Sequence, residues 1–270
     1  MSAFTADLRR AGAALPTMLR VAWAGMVAYR AEMVIWILTA TLPLVMLALW
    51  NAASADGPIG AFGQVDFARY FAINLFVRQL TGSWAVWELN NAIRTGAMSP
   101  WLLRPIHPLL FNLCETACAL PFRVIVLLPV LGALFWWRPE IAFVPSLSAL
   151  LCFSLSVALA FALSFAIQCI FGILSFWLDQ SMGLFQAWFA LWAFLSGYFV
   201  PLSLLPAPVI RVARFLPFHA SLGAPIELLM GQEPRPLFAL GVQAAWVVVT
   251  VALSAILWKR GVKRYGAYGA

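Results

Sequence analysis

Residues Trp87 to Pro108 read WELNNAIRTGAMSPWLLRPIHP, a polar island between two apolar stretches of membrane length. Leu89, Ile93 and Ala97 recur on one helical face, and Gly96 reads as the stop near the end of that helix. Ser99 followed by Pro100 reads as an N-cap with proline at the first position of a second helical piece. Pro105 and Pro108 end that piece within roughly two turns. Arg94 and Arg104 make the island basic. Two short helical pieces with a basic surface suit a rigid elbow that receives a partner or a force. An ordinary loop between spans is the other reading of the same residues.

The flanks identify the class. Hydrophobic residues make up 64% of the 270 and charged residues 10%, with a mean hydropathy of +0.92. A soluble domain carries about 25% charged residues, so most of this chain belongs in lipid. A span needs about 20 predominantly apolar residues, and 31–50, 66–87, 110–137, 143–172, 181–200 and 236–258 qualify. The expected fold is an all-α polytopic membrane protein of about six transmembrane helices, with almost nothing left for a soluble domain. The net charge of +7 does not indicate nucleic acid. The arginines lie scattered at span ends, where they set topology and meet membrane lipid.

An even number of spans puts both termini on one side. With that side cytoplasmic, Arg9, Arg10, Arg20, Arg30, Arg94, Arg104, Lys259, Arg260, Lys263 and Arg264 fall inside. Arg138, Arg211, Arg214 and Arg235 fall outside, and Arg69 lies near the outer interface. This excess makes the island cytoplasmic.

Before the first span, Leu15, Met18, Leu19, Ala22, Trp23, Met26 and Val27 recur at three- and four-residue spacing, with Arg20 opposite. Residues 10–30 therefore read as an amphipathic helix on the membrane surface, with Pro16 in its first turn, and not as a cleaved signal peptide. Cys114, Cys118, Cys152 and Cys169 fall in or beside apolar segments without a histidine or carboxylate at metal-ligand spacing, and read as small buried hydrophobes. Catalytic motifs are missing. There is no phosphate-binding loop, since Lys259 and Lys263 both lie in the tail, and no nucleophile elbow or zinc helix. Asp179 with Gln180 reads as an interfacial turn. His107 and His219 are expected on opposite sides of the membrane.

Inside the membrane, Arg78 sits near the middle of the second span and Arg123 near the middle of the third, with no acid at that depth. The spans run antiparallel and are expected to be neighbours, so the pair could form a positive wall facing an anionic group. The alternative is an arginine bonded to carbonyls freed near Pro121, or snorkelling to the interface. Along the fourth span Ser148, Cys152, Ser156, Ala160, Ser164, Gln168 and Gly172 form a small-residue row at four-residue spacing. Such a row packs against a neighbouring helix or, with Gln168 as its polar member, lines a transport route. Residues 197–236 are apolar but broken by Pro201, Pro206, Pro208, Pro217 and Pro225. Such a segment, 201–225 at its centre, reads as helices that dip in from the outer face and return.

Together the surface helix, the basic elbow and the proline-broken stretch resemble the membrane subunits of type-2 ABC (ATP-binding-cassette) exporters over essentially the whole chain. Gly96 with Leu102-Leu103-Arg104-Pro105 is similar to the elbow of a bacterial subgroup. The run from Gly197 to Pro206, followed by Leu216-Pro217-Phe218, is similar to the family's extracellular re-entrant signature, and Gly261-Val262-Lys263-Arg264-Tyr265 also fits the subgroup. The resemblance implies a bacterial inner-membrane permease that binds no cofactor itself. A separate ABC ATPase dimer would carry ATP and Mg and dock on the coupling elbow at 88–108, through Glu88, Asn91, Arg94, Gly96, Ser99, Trp101, Leu102, Leu103, Arg104 and Pro105. A second permease chain, the same or different, would complete the pore. Arg78, Arg123 and Gln168 would then line the path, with Gly197, Pro201, Pro206 and Pro217 in a re-entrant gate. Substrates across the family are exported amphiphiles. Two rivals remain at this stage. A secondary transporter or channel would show internal repeats and mid-membrane carboxylates, and an intramembrane lipid-modifying enzyme would need a catalytic cluster.

Overall fold

The structure, a computed structural model, describes residues 2–28, 35, 42–104 and 107–268. Half of the first expected span, together with Arg30 and Pro105, lies outside the described residues. The order is α1 (Ser2–Ala28), α2 (Leu42–Ala53), α3 (Gln64–Thr81), α4 (Ala85–Arg94), α5 (Met98–Leu102), α6 (Pro108–Trp137) and α7 (Leu147–Ile173). Then follow α8 (Ser181–Leu195), α9 (Ala207–Ala213), α10 (Pro217–Ser221), α11 (Gly223–Leu229) and α12 (Pro236–Tyr268). Short 3-10 turns sit at Pro139–Ile141, Leu174–Phe176 and Leu202–Leu204. Among the described residues there is no strand, only a single bridge between Ile59 and Phe62.

Three helices, Pro108–Trp137, Leu147–Phe176 and Pro236–Tyr265, are each 30 residues long and apolar enough to cross a membrane. At 1.5 Å per residue such a helix reaches about 45 Å, beyond the roughly 30 Å hydrocarbon core. Leu42–Ala53 and Ser181–Leu195 are shorter apolar helices. This is the all-α architecture of a polytopic membrane protein. The long helices start where the chain supplies caps. His107 accepts the Leu109 N–H through Nδ1 at 3.3 Å, with Pro108 at the first helical position, and Ser146 Oγ accepts the Ala149 N–H at 3.2 Å. Pro108 therefore opens α6 and does not close the elbow.

The α3 helix differs from the uninterrupted span 66–87. It stops at Thr81, the backbone at Gly82 is extended, and α4 restarts at Ala85 with its first N–H bonded to Ser83 Oγ at 3.2 Å. Gly82-Ser83 gives weak helical propensity together with a hydroxyl suited to cap the restart. The α8 helix likewise ends at Leu195 and not at 200, and α7 begins at Leu147 and not at 143.

Packing is layered around α7. One apolar cluster joins α2 and α3 to the proline-broken segment through Phe67, Phe71, Val77, Trp192, Leu222 and Ile226. A second joins α4 and α5 to the far ends of α7 and α12 through Leu89, Ile93, Met98, Ile173, Phe176 and Trp258. Gly172 of α7 meets α4 so closely that a Cβ there would stand 2.7 Å from Leu89 Cβ. The small-residue row thus serves two ends. Ser156 and Ala160 are fully buried, Ser156 Oγ donates to Gln243 Oε1 of α12 at 2.8 Å, and Gly172 admits α4. Small residues of this kind let helices approach in lipid.

Along α1, Met18 and Ala22 are buried, whereas Leu15, Leu19, Trp23 and Val27 remain exposed beside them and Arg20 is exposed too. The helix packs on α6, where Cys118 Sγ donates to the Leu19 carbonyl at 3.6 Å. The expected apolar stripe is therefore divided between protein contact and an open apolar flank.

Candidate functional site

A cavity of about 370 Å³ lies where α3 breaks, between α4, α6, α7 and α8. Arg78, Arg123 and Gln168, the three residues singled out for a path, all line it. Arg123 is 5% exposed. Its Nη1 donates to the Gly82 carbonyl at 2.5 Å and the Gln79 carbonyl at 3.3 Å. These carbonyls are freed by the break in α3 and not by Pro121, which corrects the alternative considered above while keeping its physics. Arg78 lies over the Trp192 ring at 5.3 Å and interacts with the Tyr198 hydroxyl. The Nη1 atoms of Arg78 and Arg123 stand 3.1 and 3.2 Å from where a Cβ on Gly82 would be. The glycine is what lets two cations converge there.

Trp84, Trp87, Phe185, Trp188, Phe189 and Trp192 give the cavity an aromatic wall. Ser164 and Gln168 of α7 face it, and Gln168 Oε1 is buried without a hydrogen-bond partner. Small pockets that pair a mostly apolar wall with a few convergent polar groups are where ligands bind. Neither the break nor the wall was anticipated from sequence. Gly82-Ser83 was a usable signal for the break, but the wall required knowing which face of α8 turns inward.

The elbow is a second feature. The α4 helix ends at Arg94 with Thr95 as its C-cap, Gly96 turns with φ +80°, and α5 follows at once. Leu89 and Ile93 are buried as expected, but Ala97 lies past the turn and is exposed. Ser99 is not the N-cap. Ala97 holds that position, and Ser99 Oγ instead lies 3.1 Å from the Tyr265 hydroxyl, which donates to the Gly96 carbonyl at 3.0 Å. Asn90 Nδ2 donates to Ser175 Oγ and Ser181 Oγ, both at 2.8 Å, and Arg94 donates to the Asp179 carbonyl at 2.8 Å. Trp101 and Leu102 pack partly into the core beneath. Glu88, Asn91 and Arg104 are exposed, and Leu103 is 87% exposed, an unusual value for a leucine. The inner face is thus clamped to α12 and to the α7–α8 turn, while the outer face is free. Beside it His107 packs on Trp258, ring centroids 5.0 Å apart, and burial lowers the imidazole pKa from its usual range.

The start of the expected gate is anchored to α2 and α3. Gly197, with φ +90°, gives its carbonyl to the Tyr70 hydroxyl at 2.8 Å and to Asn74 Nδ2 at 3.2 Å. Trp50 Nε1 donates to the Phe199 carbonyl at 2.9 Å. Pro201 is buried and Pro206 exposed, and from Pro217 to Leu228 every residue is buried. His219 Nε2 lies 3.2 Å from Glu227 Oε1, with Arg214 at 3.9 Å from the other oxygen.

Residues 59–269 match the family described as ABC-2 family transporter protein. No curated protein matches the chain. With more than three quarters of its length matched, the chain belongs to the ABC-2 transporter family, as a membrane-embedded permease subunit of an ABC transporter and not itself the catalytic one.

Proposed function

We propose that this chain is the transmembrane half of an ATP-driven exporter, paired with a second permease chain and worked by a separate ABC ATPase dimer that docks on the elbow. The family carries the association with an ABC ATPase in general. The observation that supports the elbow as the docking point is its two-sidedness. Its inner face is clamped by Tyr265, Asn90 and Arg94, while Leu103, Arg104, Glu88 and Asn91 are open. A load on the open face would pass into α7 and α12 through the buried cluster at Leu89 and Trp258, and along α4 to the break at Gly82 beside the cavity. We place the elbow and both termini in the cytoplasm of a bacterium, with six passes through its inner membrane, and the 201–225 hairpin at the outer side. ATP and Mg would bind on the partner, because this chain has no phosphate-binding loop.

The test is charge reversal at Glu88 and Arg104 together, both on the open face, since a single exposed charge contributes under about 1 kcal/mol. Co-purification of the ATPase with the tagged permease should fall, and ATP hydrolysis should lose its dependence on the permease, while the variant keeps its wild-type elution volume and melting curve. A double variant with intact complex and intact hydrolysis would overturn the docking assignment.

A further inference from the structure

Two guanidiniums face one cavity, and among the described residues no acid lines it to balance them. Among the described residues neither Arg78 nor Arg123 belongs to an ion pair, unlike Arg138, Arg214 and His219. Carbonyl oxygens hold Arg123 in place through one nitrogen but do not neutralise it. Each guanidinium has five N–H donors in a planar fork. Arg123 spends only its Nη1 on the backbone, and Arg78 gives its face to Trp192 and one donor to the Tyr198 hydroxyl. Donor edges of both therefore remain for something between them.

We propose that the cavity binds the phosphate headgroup of an amphiphile, with the phosphate held between Arg78 and Arg123 and the apolar part laid along the tryptophan wall of α8. This rests on the reading of the chain as an export permease and names its substrate class. Three features favour this ligand. Two forks approaching one point from different helices need an acceptor with more oxygens than a planar carboxylate, and a tetrahedral phosphate supplies them. Gln168 Oε1 is a buried acceptor without a donor, which suits a hydroxyl on the same headgroup, either the protonated phosphate oxygen or a neighbouring alcohol. The volume of about 370 Å³ holds a headgroup but not a long chain. A chain would leave past Phe189 of α8, which lines the cavity and is 38% exposed.

The experiment is a fluorescence titration of the full chain in neutral maltoside micelles. Its probe is a brominated alkyl phosphate, whose bromine quenches the cavity tryptophans. The comparison arms are a neutral alkyl glycoside and a fatty acid with the same brominated chain, and inorganic phosphate as competitor. Saturable quenching by the alkyl phosphate is expected, with Arg78→Gln weakening it at least about 10-fold, the scale of a lost charge-assisted hydrogen bond. Arg78→Lys should recover part of that loss, because it keeps the charge but not the fork. Arg20→Gln, on the surface helix, should leave it unchanged. Arg123→Gln would also strip two backbone carbonyls of their donor, so Arg78→Gln carries the test.

Equal binding of the neutral glycoside, or full binding by a folded Arg78→Gln variant, would overturn the headgroup assignment. Equal binding of the fatty acid would overturn phosphate. Inorganic phosphate competing at the same concentration as the alkyl phosphate would overturn the amphiphile in favour of a free anion. No ATPase takes part, so failure here leaves the docking assignment standing, and failure of docking leaves this binding intact.

Discussion

Gly96 in the elbow and Gly197 in the hairpin end their helices in the same way, with φ of +80° and +90°, and a tyrosine from a distant helix donates to each glycine carbonyl. Tyr265 does this for Gly96 at 3.0 Å, and Tyr70 for Gly197 at 2.8 Å. The surroundings differ. The elbow bond is exposed, so water can replace it. Around Gly197 the tyrosine is 2% exposed, and Asn74 adds a second donor to the same carbonyl. In the elbow the turn needs a fastener only to hold its shape. In the hairpin, without the fasteners, a backbone carbonyl would stand bare in an apolar interior, where an unpaired polar group is expensive. The same motif therefore serves presentation at one end of the molecule and concealment at the other.

Substituting the glycines is the strongest way to break the comparison. Placing alanine at a positive φ costs about 1–2 kcal/mol at either position. At Gly96 nothing else opposes it, since the nearest neighbour of the new Cβ is the Tyr265 hydroxyl at 4.0 Å. At Gly197 the Cβ would overlap the Tyr70 hydroxyl, so the fastener must also move. Gly197→Ala should therefore lower the melting temperature in detergent far more than Gly96→Ala and cut the yield of folded protein. Equal losses would mean that the hairpin carbonyl is not held as described.

The tyrosines give the next largest contrast. Tyr70→Phe leaves the buried Gly197 carbonyl with Asn74 alone at 3.2 Å and should cost about 1–3 kcal/mol. Tyr265→Phe removes an exposed bond and should cost under about 1 kcal/mol. The second variant has a functional signature that the first lacks, because it loosens the elbow. ATPase coupling should fall in Tyr265→Phe while its melting curve barely moves. Uncoupling in Tyr70→Phe at matched stability would reverse the assignment of the two regions.

These regions also show what the sequence could reveal. Gly96 and the proline-rich run announced their own breaks, because glycine and proline act on the backbone locally. The convergence of Arg78 and Arg123 was also accessible, from the depth of each in its span and the antiparallel order of the spans. The partners were not. Tyr265 reaches Gly96 from 169 positions away and Tyr70 reaches Gly197 from 127, distances over which no local pattern carries information. The cap expected at Ser99 failed for a related reason. A serine hydroxyl takes whatever partner tertiary packing supplies, and here that is a tyrosine. The break at Gly82 was missed because Ala85, Val86 and Trp87 restore hydrophobicity immediately, so a hydropathy reading passes straight over it.

His107 offers the smallest effect and the finest test of the elbow's wet character. Its Nδ1 accepts the Leu109 N–H at the start of α6, which only the neutral ring can do. Packing against Trp258 also disfavours the charged form and lowers the pKa from the usual value near 6.5. The folded state therefore binds fewer protons here than the unfolded chain does. The stabilisation is present above about pH 6.5 and is lost as pH falls through the lowered pKa. His107→Asn keeps a capping oxygen without a titrating group. The difference in melting temperature between wild type and His107→Asn should be nearly constant above neutrality and shift against wild type as the pH drops toward 5, by less than the Tyr265→Phe effect. The residue keeps one side exposed to water, which limits the size of the shift. A difference that does not change with pH would mean that the imidazole is not the cap of α6.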